Sequence, residues 1–379
     1  MCGNLLFFWK ISYLLRKNVT YQTNILFKRF HIHFLMKFFL PFSWLYGGIT
    51  DIRNWLYDHK KIRSFRFEVP MISVGNLTVG GTGKTPHIEY LIRFLENNFS
   101  IATLSRGYGR KTKGFLLAHP QTSSTEIGDE PMQFYQKFGK NIIVSVGEER
   151  ALAVPYILYE HPEVNLILLD DAFQHRPVQP DINIMLTDYK RLFYNDHPFP
   201  VGRLRERRHS AKRADIILVT KCPKNLSETE QQNIIQNIQK YNTHAPVLFT
   251  YFDYAKPSSL FLKEKTCSQK VALVSAIAQP NHFENDMKLL LDVHHHFSFP
   301  DHYFFSERDI QGFLDFLEKN PDCDFVCTEK DAVKLREMQI PETLQNRLFS
   351  VGIEVCFLTP AMETCFQRKI SDTLTHRKN

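Results

Sequence analysis

None of the seven cysteines stands in a Cys-x-x-Cys pair, which excludes a disulfide scaffold and a zinc ribbon and points to a reducing compartment. Internal repeats and low-complexity linkers are missing as well. Long apolar runs are missing from the N-terminal region. The longest uncharged stretch there is Phe38 to Thr50, thirteen residues, where a membrane span needs roughly 20. That region also lacks the small-residue cleavage site of a signal peptide. Acidic residues are scarce in it: residues 1–66 carry 11 Lys and Arg against 2 Asp and Glu, a net +9. The remaining 313 residues therefore hold −2 of the chain's +7, and a nucleic-acid-binding core has no electrostatic support. What is present is ordinary globular material, 43% apolar and 23% charged over 379 residues, enough for two or three domains.

Within the basic N-terminus, Phe38, Phe42, Leu45, Ile49, Ile52 and Leu56 recur at steps of three and four, one face of a helix. Trp44, Tyr46, Trp55 and Tyr57 are aromatics suited to a membrane interface, and Lys60, Lys61, Arg63 and Arg66 follow to meet anionic headgroups. The competing expectation is a helix packed on its own domain with a solvated basic end. Residues 1–35 show no such period, and Met36 opens the patterned helix. We expect 1–35 to be an upstream extension, 36–66 a membrane-associating helix, 67–210 a first domain and 211–379 a second.

From residue 68 strands and helices alternate, the pattern of a parallel α/β sheet. Expected strands are Val69–Val74, Ile101–Leu104, Ile142–Val146, Val164–Leu169, Ile182–Leu186, Asp215–Thr220, Val271–Ser275, Phe325–Thr328 and Val351–Phe357. Ser227 with Glu230 predicts a capping box, and Ser306 predicts the start of a helix carrying Ile310, Phe313, Leu314 and Leu317.

The strongest motif is the run from Gly75 to Pro86, with Thr78, Val79, Gly80, Gly81, Thr82, Gly83, Lys84 and Thr85 between a predicted strand and a predicted helix. This is the context of a phosphate-binding P-loop. Glycines let backbone N–H groups approach phosphate oxygens, Lys84 reaches the β- and γ-phosphates, and Thr85 holds Mg²⁺. The usual pattern has glycine at position 78, where this chain has Thr78. A second metal-holding element is expected at Asp170 and Asp171, at the end of an apolar strand. Thr220-Lys221-Cys222 approaches a guanine-reading motif, but Pro223 stands where the carboxylate belongs, so a GTPase is disfavoured. Asp129 and Glu130 lie at a loop-to-helix start, where a carboxylate can accept a hydroxyl proton; the bland alternative is an Asp129 N-cap with Pro131 in the first turn. Arg106 and Arg110 follow a strand end, where arginines can clamp an anionic substrate. Asp301 and His302 offer an acid/base pair. His294, His295 and His296 sit in a predicted strand, where successive side chains face opposite ways, poor chelate geometry.

Taken together, VGNLTVGGTGKTP at 74–86, LSRGYGR at 104–110, GDEP at 128–131, DDAFQHR at 170–176, GRLRE at 202–206, PDHY at 300–303 and TEKDAVKL at 328–335 resemble, in order, the tetraacyldisaccharide 4′-kinases, the lipid A 4′-kinases of Gram-negative bacteria. Ala172 stands where many members have glycine, and Val201-Gly202-Arg203 replaces the commoner Ala-Gly-Pro. The resemblance implies a P-loop NTPase-like α/β/α domain, a second smaller α/β domain and a site in the cleft between them. It implies an ATP- and Mg²⁺-dependent kinase acting on a lipid A disaccharide 1-phosphate precursor at the cytoplasmic face of the inner membrane. By motif position it makes Asp129 the catalytic base paired with His302. It gives Lys84 and Thr85 to ATP and Mg²⁺, Asp170, Asp171 and Glu130 to the metal, and sets Arg205 and Glu206 near the site. The alternative of a different class is a membrane-associated P-loop regulator or metallochaperone-type NTPase, which needs no acceptor base.

Overall fold

The computed structural model describes residues 25–262 and 264–378. Its first element is a helix, α1 (Ile25–Asp58), whose backbone begins upstream of Met36. Of the expected extension, residues 1–24 lie outside the described residues. Fourteen strands follow, sorted into two sheets.

The larger sheet has nine strands. At its centre is β1 (Met71–Asn76), buried at every residue because both faces are covered, which is why its sequence reads as a continuous rather than alternating run. In chain order come β2 (Ile101–Ser105), β3 (Leu116–Leu117), β4 (Ile142–Val146), β5 (Leu166–Asp170), β6 (Ile182–Asp188), β7 (Ile216–Thr220) and β8 (Val247–Tyr254). With β14 (Ile353–Phe357) the spatial order is β14-β8-β7-β6-β1-β5-β2-β4-β3, parallel except for the two edge strands β14 and β3. One face packs Ile72 and Val74 against Ile88, Leu91 and Leu95 of α2 (Lys84–Leu95). The other packs Met71, Ile167 and Leu169 against Val154 and Ile157 of a later helix, Arg150–Glu160. Between β3 and β4 lie α3 (Ser124–Ile127) and α4 (Asp129–Phe138), and Arg150–Glu160 is α5. After β7 comes α6 (Glu228–Gln239), where Ser227 Oγ accepts from the Glu230 N–H as expected. The reciprocal half of the box is not made, because Glu230 accepts from the Tyr189 hydroxyl instead at 2.6 Å.

The smaller sheet is built from β9 (Ser258–Ser259), β10 (Lys270–Ser275), β11 (Asp292–Ser298), β12 (Asp324–Thr328) and β13 (Leu348–Val351), in the order β11-β10-β12-β13-β9. Between them run α7 (Pro280–Met287), α8 (Glu307–Lys319), α9 (Glu329–Arg336) and α10 (Glu342–Gln345). Phe313 of α8 and Leu335 of α9 fill one face, and Phe283 and Met287 of α7 the other. Ser306 opens α8 with a complete capping box to Asp309. On β11 the expected alternation is interrupted at His294, where the register with β10 shifts; His294 and His295 are exposed and His296 is half-buried against Phe283.

Two boundaries differ from expectation. The sheets do not part at residue 211: β7, β8 and β14 belong to the nine-stranded sheet, α11 (Pro360–Lys378) packs on it through Phe366, Ile370 and Leu374, and only residues 258–351 build the smaller one. The expected strand Val351–Phe357 is two strands, broken at Gly352, with β13 in one sheet and β14 in the other. A Cβ at Gly352 would lie 2.9 Å from a Glu329 carboxylate oxygen.

The two layers join where α4 meets α9. Val333 packs with Ile127, Met132 and Val146. Ser124 donates through N and Oγ to Glu337 at 2.6 and 2.7 Å. Lys137 bridges Glu89 of α2, at 2.6 Å, to Glu329 of α9, so the helix that opens at Lys84 is wired to the smaller layer.

Helix α1 lies on the larger layer with its polar side inward. Ser43 and Asn54 are buried; Ser43 Oγ donates to the Pro198 carbonyl at 2.7 Å and the Tyr46 hydroxyl to the Arg205 carbonyl at 3.0 Å. Asp51 pairs with Arg207 at 2.9 Å and Asp58 with Arg176 at 2.7 Å. The apolar stripe therefore faces out: Phe42, Leu45, Ile49 and Ile52 are each more than half exposed, with Trp44 and Trp55 beside them. Among the described residues no helix is long and apolar enough to cross a membrane.

Candidate active site

The loop from Gly75 to Thr85 connects β1 to α2 at the carboxyl end of the central strand, the position at which open α/β sheets bind ligands. Gly83 has φ +88°, and a Cβ there would lie 2.4 Å from Phe252, so both conformation and space demand glycine. Thr78 shows why the usual glycine is dispensable at its position. It is buried, has no positive φ, and forms an isolated antiparallel bridge with Leu204. Val79 N donates to the Arg203 carbonyl at 2.7 Å, so segment 203–204 braces the loop from outside. Inside, Asn76 Nδ2 donates to Thr82 Oγ1 at 2.9 Å and Thr220 Oγ1 to the Thr82 carbonyl at 2.9 Å. Lys221, at φ +58°, donates to the Gly81 carbonyl, so the motif that fell short of reading guanine buttresses the loop. His87 is buried beneath it, Nδ1–H donating to the Gly83 carbonyl at 2.7 Å, and burial pushes its pKa down to about 4, so it is neutral. Gly80 and Gly81 would meet nothing within 4 Å if given a Cβ, which leaves room above the loop.

Lys84 and Thr85 are the first two residues of α2. Lys84 Nζ lies 3.7 Å from Asp171 Oδ1, and Arg205 Nη1 holds both oxygens of the same carboxylate at 2.9 and 3.0 Å. Asp171 takes φ +46°, a left-handed turn that aims its side chain back at the loop. Burial would raise its pKa, but Lys84 and Arg205 outweigh that and hold it below the usual carboxylate range. Asp170 is the opposite case. Burial, then the Glu130 charge, push its pKa up to about 7, and its Oδ1 is buried with no hydrogen-bond partner among the described residues. A buried, unpartnered carboxylate oxygen facing two further acids fits a cation, which would relieve both the burial and the repulsion. No cluster of three or more His, Cys, Asp or Glu stands ready for a metal among the described residues. Mg²⁺ completes its shell with phosphate and water, so the acids here need not enclose it.

The Glu130–Asp170 interaction brings the start of α4 to the loop. Asp129 does not cap α4; the cap is Gly128, at φ +95°, whose absent Cβ would lie 2.9 Å from the Tyr108 carbonyl. Asp129 is the first helical residue, buried, and turned toward the smaller layer. Its Oδ2 accepts from His302 Nδ1 at 3.1 Å and from Lys334 Nζ at 3.2 Å. Its Oδ1 accepts nothing from the described residues. Burial raises its pKa, but His302, Lys334 and Lys330 more than offset this, and the group stays an ionised carboxylate. His302 has φ +61°, and its N–H donates to the Ala276 carbonyl at 3.2 Å. Strained conformations at Asp171 and His302 are the kind that persist where function requires them.

Not every expected residue joins this group. Arg110 has a buried side chain whose Nη2 donates to Glu148 and the Gly114 carbonyl, both at 2.6 Å, so it staples its own loop. Arg106 of the same motif is exposed. Glu206 is buried and bonded to Arg213, while its neighbour Arg205 reaches Asp171. Residues that spacing alone does not single out are Arg150, whose Nη2 donates to the Asp170 carbonyl at 2.6 Å, and Lys330 and Lys334 beside Asp129 and His302. Their motif, TEKDAVKL, was visible; their direction was not.

The model of the tetraacyldisaccharide-1-P 4′-kinase family matches residues 35–371. The chain belongs to that family. The tetraacyldisaccharide 4′-kinase of Flavobacterium psychrophilum is 43% identical over 351 residues, covering 89% of this chain and 97% of the relative. That of Phocaeicola vulgatus is 40% identical over 355 residues, covering 90% and 96%. Among solved structures, the apo-form LpxK of Aquifex aeolicus in complex with ATP has a TM-score of 0.70 at 27% identity, covering 90% of this chain and 99% of that one. The tetraacyldisaccharide-1-P 4′-kinase family thus accounts for both the α/β architecture and the phosphate loop found here.

Proposed function

We infer that this chain transfers the γ-phosphoryl group of ATP to the 4′-hydroxyl of a tetraacyldisaccharide 1-phosphate, a step of lipid A biosynthesis. The observation that carries the reading is the ionised carboxylate of Asp129, held by His302 and Lys334 with Oδ1 open, on a helix start that also brings Glu130 to Asp170. A nucleotide switch needs no such group; a kinase does. Loop amides from Thr78 to Thr85 would cradle the phosphates. Lys84 exchanges Asp171 for the β- and γ-phosphates and neutralises charge as the transferring group loosens. Thr85, Asp170, Asp171 and Glu130 would hold Mg²⁺, which supplies charge neutralisation on the phosphate oxygens. Asp129 Oδ1 orients the acceptor hydroxyl and takes its proton as the new O–P bond forms and the β–γ bridge breaks, releasing ADP. Little basicity is needed, because a loose phosphoryl transition state leaves that proton in place until late. Label from γ-labelled ATP should appear in a tetraacyldisaccharide 1-phosphate lipid, with little ATP turnover when lipid is omitted. Turnover that ignores the lipid, with no label in it, would instead identify an NTPase regulator.

We further propose that the protein sits peripherally on the cytoplasmic face of the inner membrane through α1. The outward stripe of Phe42, Leu45, Ile49 and Ile52 with Trp44 and Trp55 supports this, because a helix that docks by its polar side leaves an apolar face for lipid. Exposed Lys60, Lys61 and Arg63 follow, while Arg66 is shared with Asp181 at 3.0 Å. Each basic residue near anionic lipid adds ~1 kcal/mol, screened by salt. Phe42→Asp with Leu45→Asp should abolish co-sedimentation with anionic vesicles and leave Tm and detergent-phase activity unchanged. Wild-type binding should weaken at high salt. A fall in Tm and detergent-phase activity together would mean that the stripe packs on the protein itself.

A further inference from the structure

The first two turns of α9 carry two lysines, Lys330 and Lys334, on one side of the helix and one turn apart, and both end at the Asp129–His302 pair. The helix is fixed so that they do. Thr328 caps it, accepting from the Asp331 N–H at 3.2 Å, and Asp331, fully buried, accepts from the Ala276 N–H at 3.1 Å. Ala276 is the residue whose carbonyl holds the His302 N–H. Glu329, between cap and lysines, is tied to Lys137 of α4. The lysines, the histidine loop and the aspartate helix are therefore referenced to one another.

Lys334 has only 3% of its side chain exposed. Its ammonium lies 5.4 Å from the Phe304 ring centroid, donates to the Tyr303 carbonyl at 3.0 Å and approaches Asp129 Oδ2 at 3.2 Å. Burying an ammonium is costly unless it is paired and hydrogen-bonded, so its place beside Asp129 is specified, not incidental. Lys330 Nζ lies 3.2 Å from His302 Nε2. An ammonium has donors only, so Nε2 is the acceptor, and a neutral imidazole must then carry its proton on Nδ1. Nδ1 is the atom 3.1 Å from Asp129 Oδ2. Two donors therefore hold the aspartate directly, the histidine and the cationic Lys334, both on Oδ2, with Lys330 behind the histidine, and Oδ1 is left for the acceptor. Also facing His302 are Asp301, 3.9 Å from Nε2, and the Tyr108 ring at 5.8 Å.

We propose that Lys330 and Lys334 are positioning residues for phosphoryl transfer: Lys330 fixes the Nδ1–H tautomer of His302, and Lys334 pins Asp129 Oδ2 so that Oδ1 points at the acceptor hydroxyl. The proposal rests on the reading of Asp129 as the group that meets that hydroxyl. The lysines act through Asp129 and His302 and need touch neither nucleotide nor lipid.

The test uses the full chain with ¹⁵N-labelled histidine, His302 being assigned by its loss in His302→Gln. Wild type should show His302 protonated at Nδ1 and accepting at Nε2. Lys330→Met should move the proton to Nε2 or give a mixture of tautomers. Each of Lys330→Met and Lys334→Met should lower kcat about 10- to 100-fold, the usual cost of losing a partner that orients a reacting group, with the KM for ATP unchanged. In an Asp129→Asn background the Lys334→Met substitution should cost nothing further in kcat, whereas a merely structural lysine costs the same in both backgrounds. A wild-type His302 protonated at Nε2 would overturn the tautomer assignment, and an equal Lys334→Met loss in both backgrounds would overturn the pinning of Asp129. If Lys334→Met does not fold, the partly exposed Lys330 still decides the question by its spectrum. Failure of the underlying reading looks different: wild type itself would place no label in the lipid, and the proposal would fall with it.

Discussion

Lys84→Ala is expected to reduce kcat by at least about two to three decades, the loss that follows removal of one group stabilising developing charge. In the resting site this lysine rests 3.7 Å from Asp171, a carboxylate that Arg205 already grips at 2.9 and 3.0 Å. Removing Lys84 therefore leaves no orphaned buried acid and should leave Tm nearly unchanged. The deficit falls on the transferring phosphoryl group, whose charge the loop amides alone cannot balance. Lys84→Arg should not rescue, because a planar fork does not replace a point charge in a loop closed by Gly83 against Phe252. Retention of more than about a tenth of wild-type kcat, less than ~1.4 kcal/mol in the barrier, would contradict the assignment of this loop to phosphate.

Asp129→Ala is the second large effect: kcat should fall ~10²- to 10⁴-fold, the range for loss of a positioned base, with the KM for ATP little changed. Nucleotide binding is not disturbed, because Asp129 is tied to His302 and Lys334 of the smaller layer, not to the loop. His302→Ala should cost as much or less, and the double mutant should cost less than the product of the two losses, as for any pair acting as a unit. Losses that multiply in full would show that the two side chains work separately. A control for folding is essential, since Asp129→Ala leaves the Lys334 ammonium buried with only the Tyr303 carbonyl, a situation that can cost a few kcal/mol. Asp129→Asn keeps the shape and should lower kcat with a smaller penalty in Tm.

The phosphate loop was legible in the sequence because its chemistry is contiguous: glycines, Lys84 and Thr85 fall within one strand-to-helix turn. Asp170 and Asp171 stood out for a similar reason, at the end of an apolar run, and both lie near Lys84. The pairing of Asp129 with His302 was not legible from spacing, since 173 residues separate them and only the family resemblance joined them. Lys330 and Lys334 were hidden by their type, because lysines on an amphipathic helix ordinarily mark its solvated side. For α1 the period alone says that one face differs from the other, not which face meets the protein; it was the interfacial aromatics and the basic end that favoured an outward apolar face over a packed one. Here Ser43, Tyr46, Asp51 and Asn54 supplied enough hydrogen bonds to bury the polar side. The split of Val351–Phe357 was invisible because both halves are apolar. Only the crowding of Gly352 against Glu329 marks the point at which the chain changes sheets.

That change of sheets has a thermodynamic side. The chain leaves the large sheet after β8 and re-enters it at β14, and these two strands pair antiparallel with Ile353 opposite Tyr254. The whole smaller layer is thus spliced in where a hairpin turn would otherwise sit. Closing a loop of roughly 100 residues instead of one of about six takes about four doublings, at ~0.6 kcal/mol each, so the β8–β14 pair gives up only ~2–3 kcal/mol to carry it. Because the spliced layer has its own core around Phe313 and Phe325, it recovers that sum internally. The hairpin alone would let the two layers melt as separate cooperative units. What couples their melting is the α4–α9 seam, with Val333, Lys137 and Lys334 as its rivets.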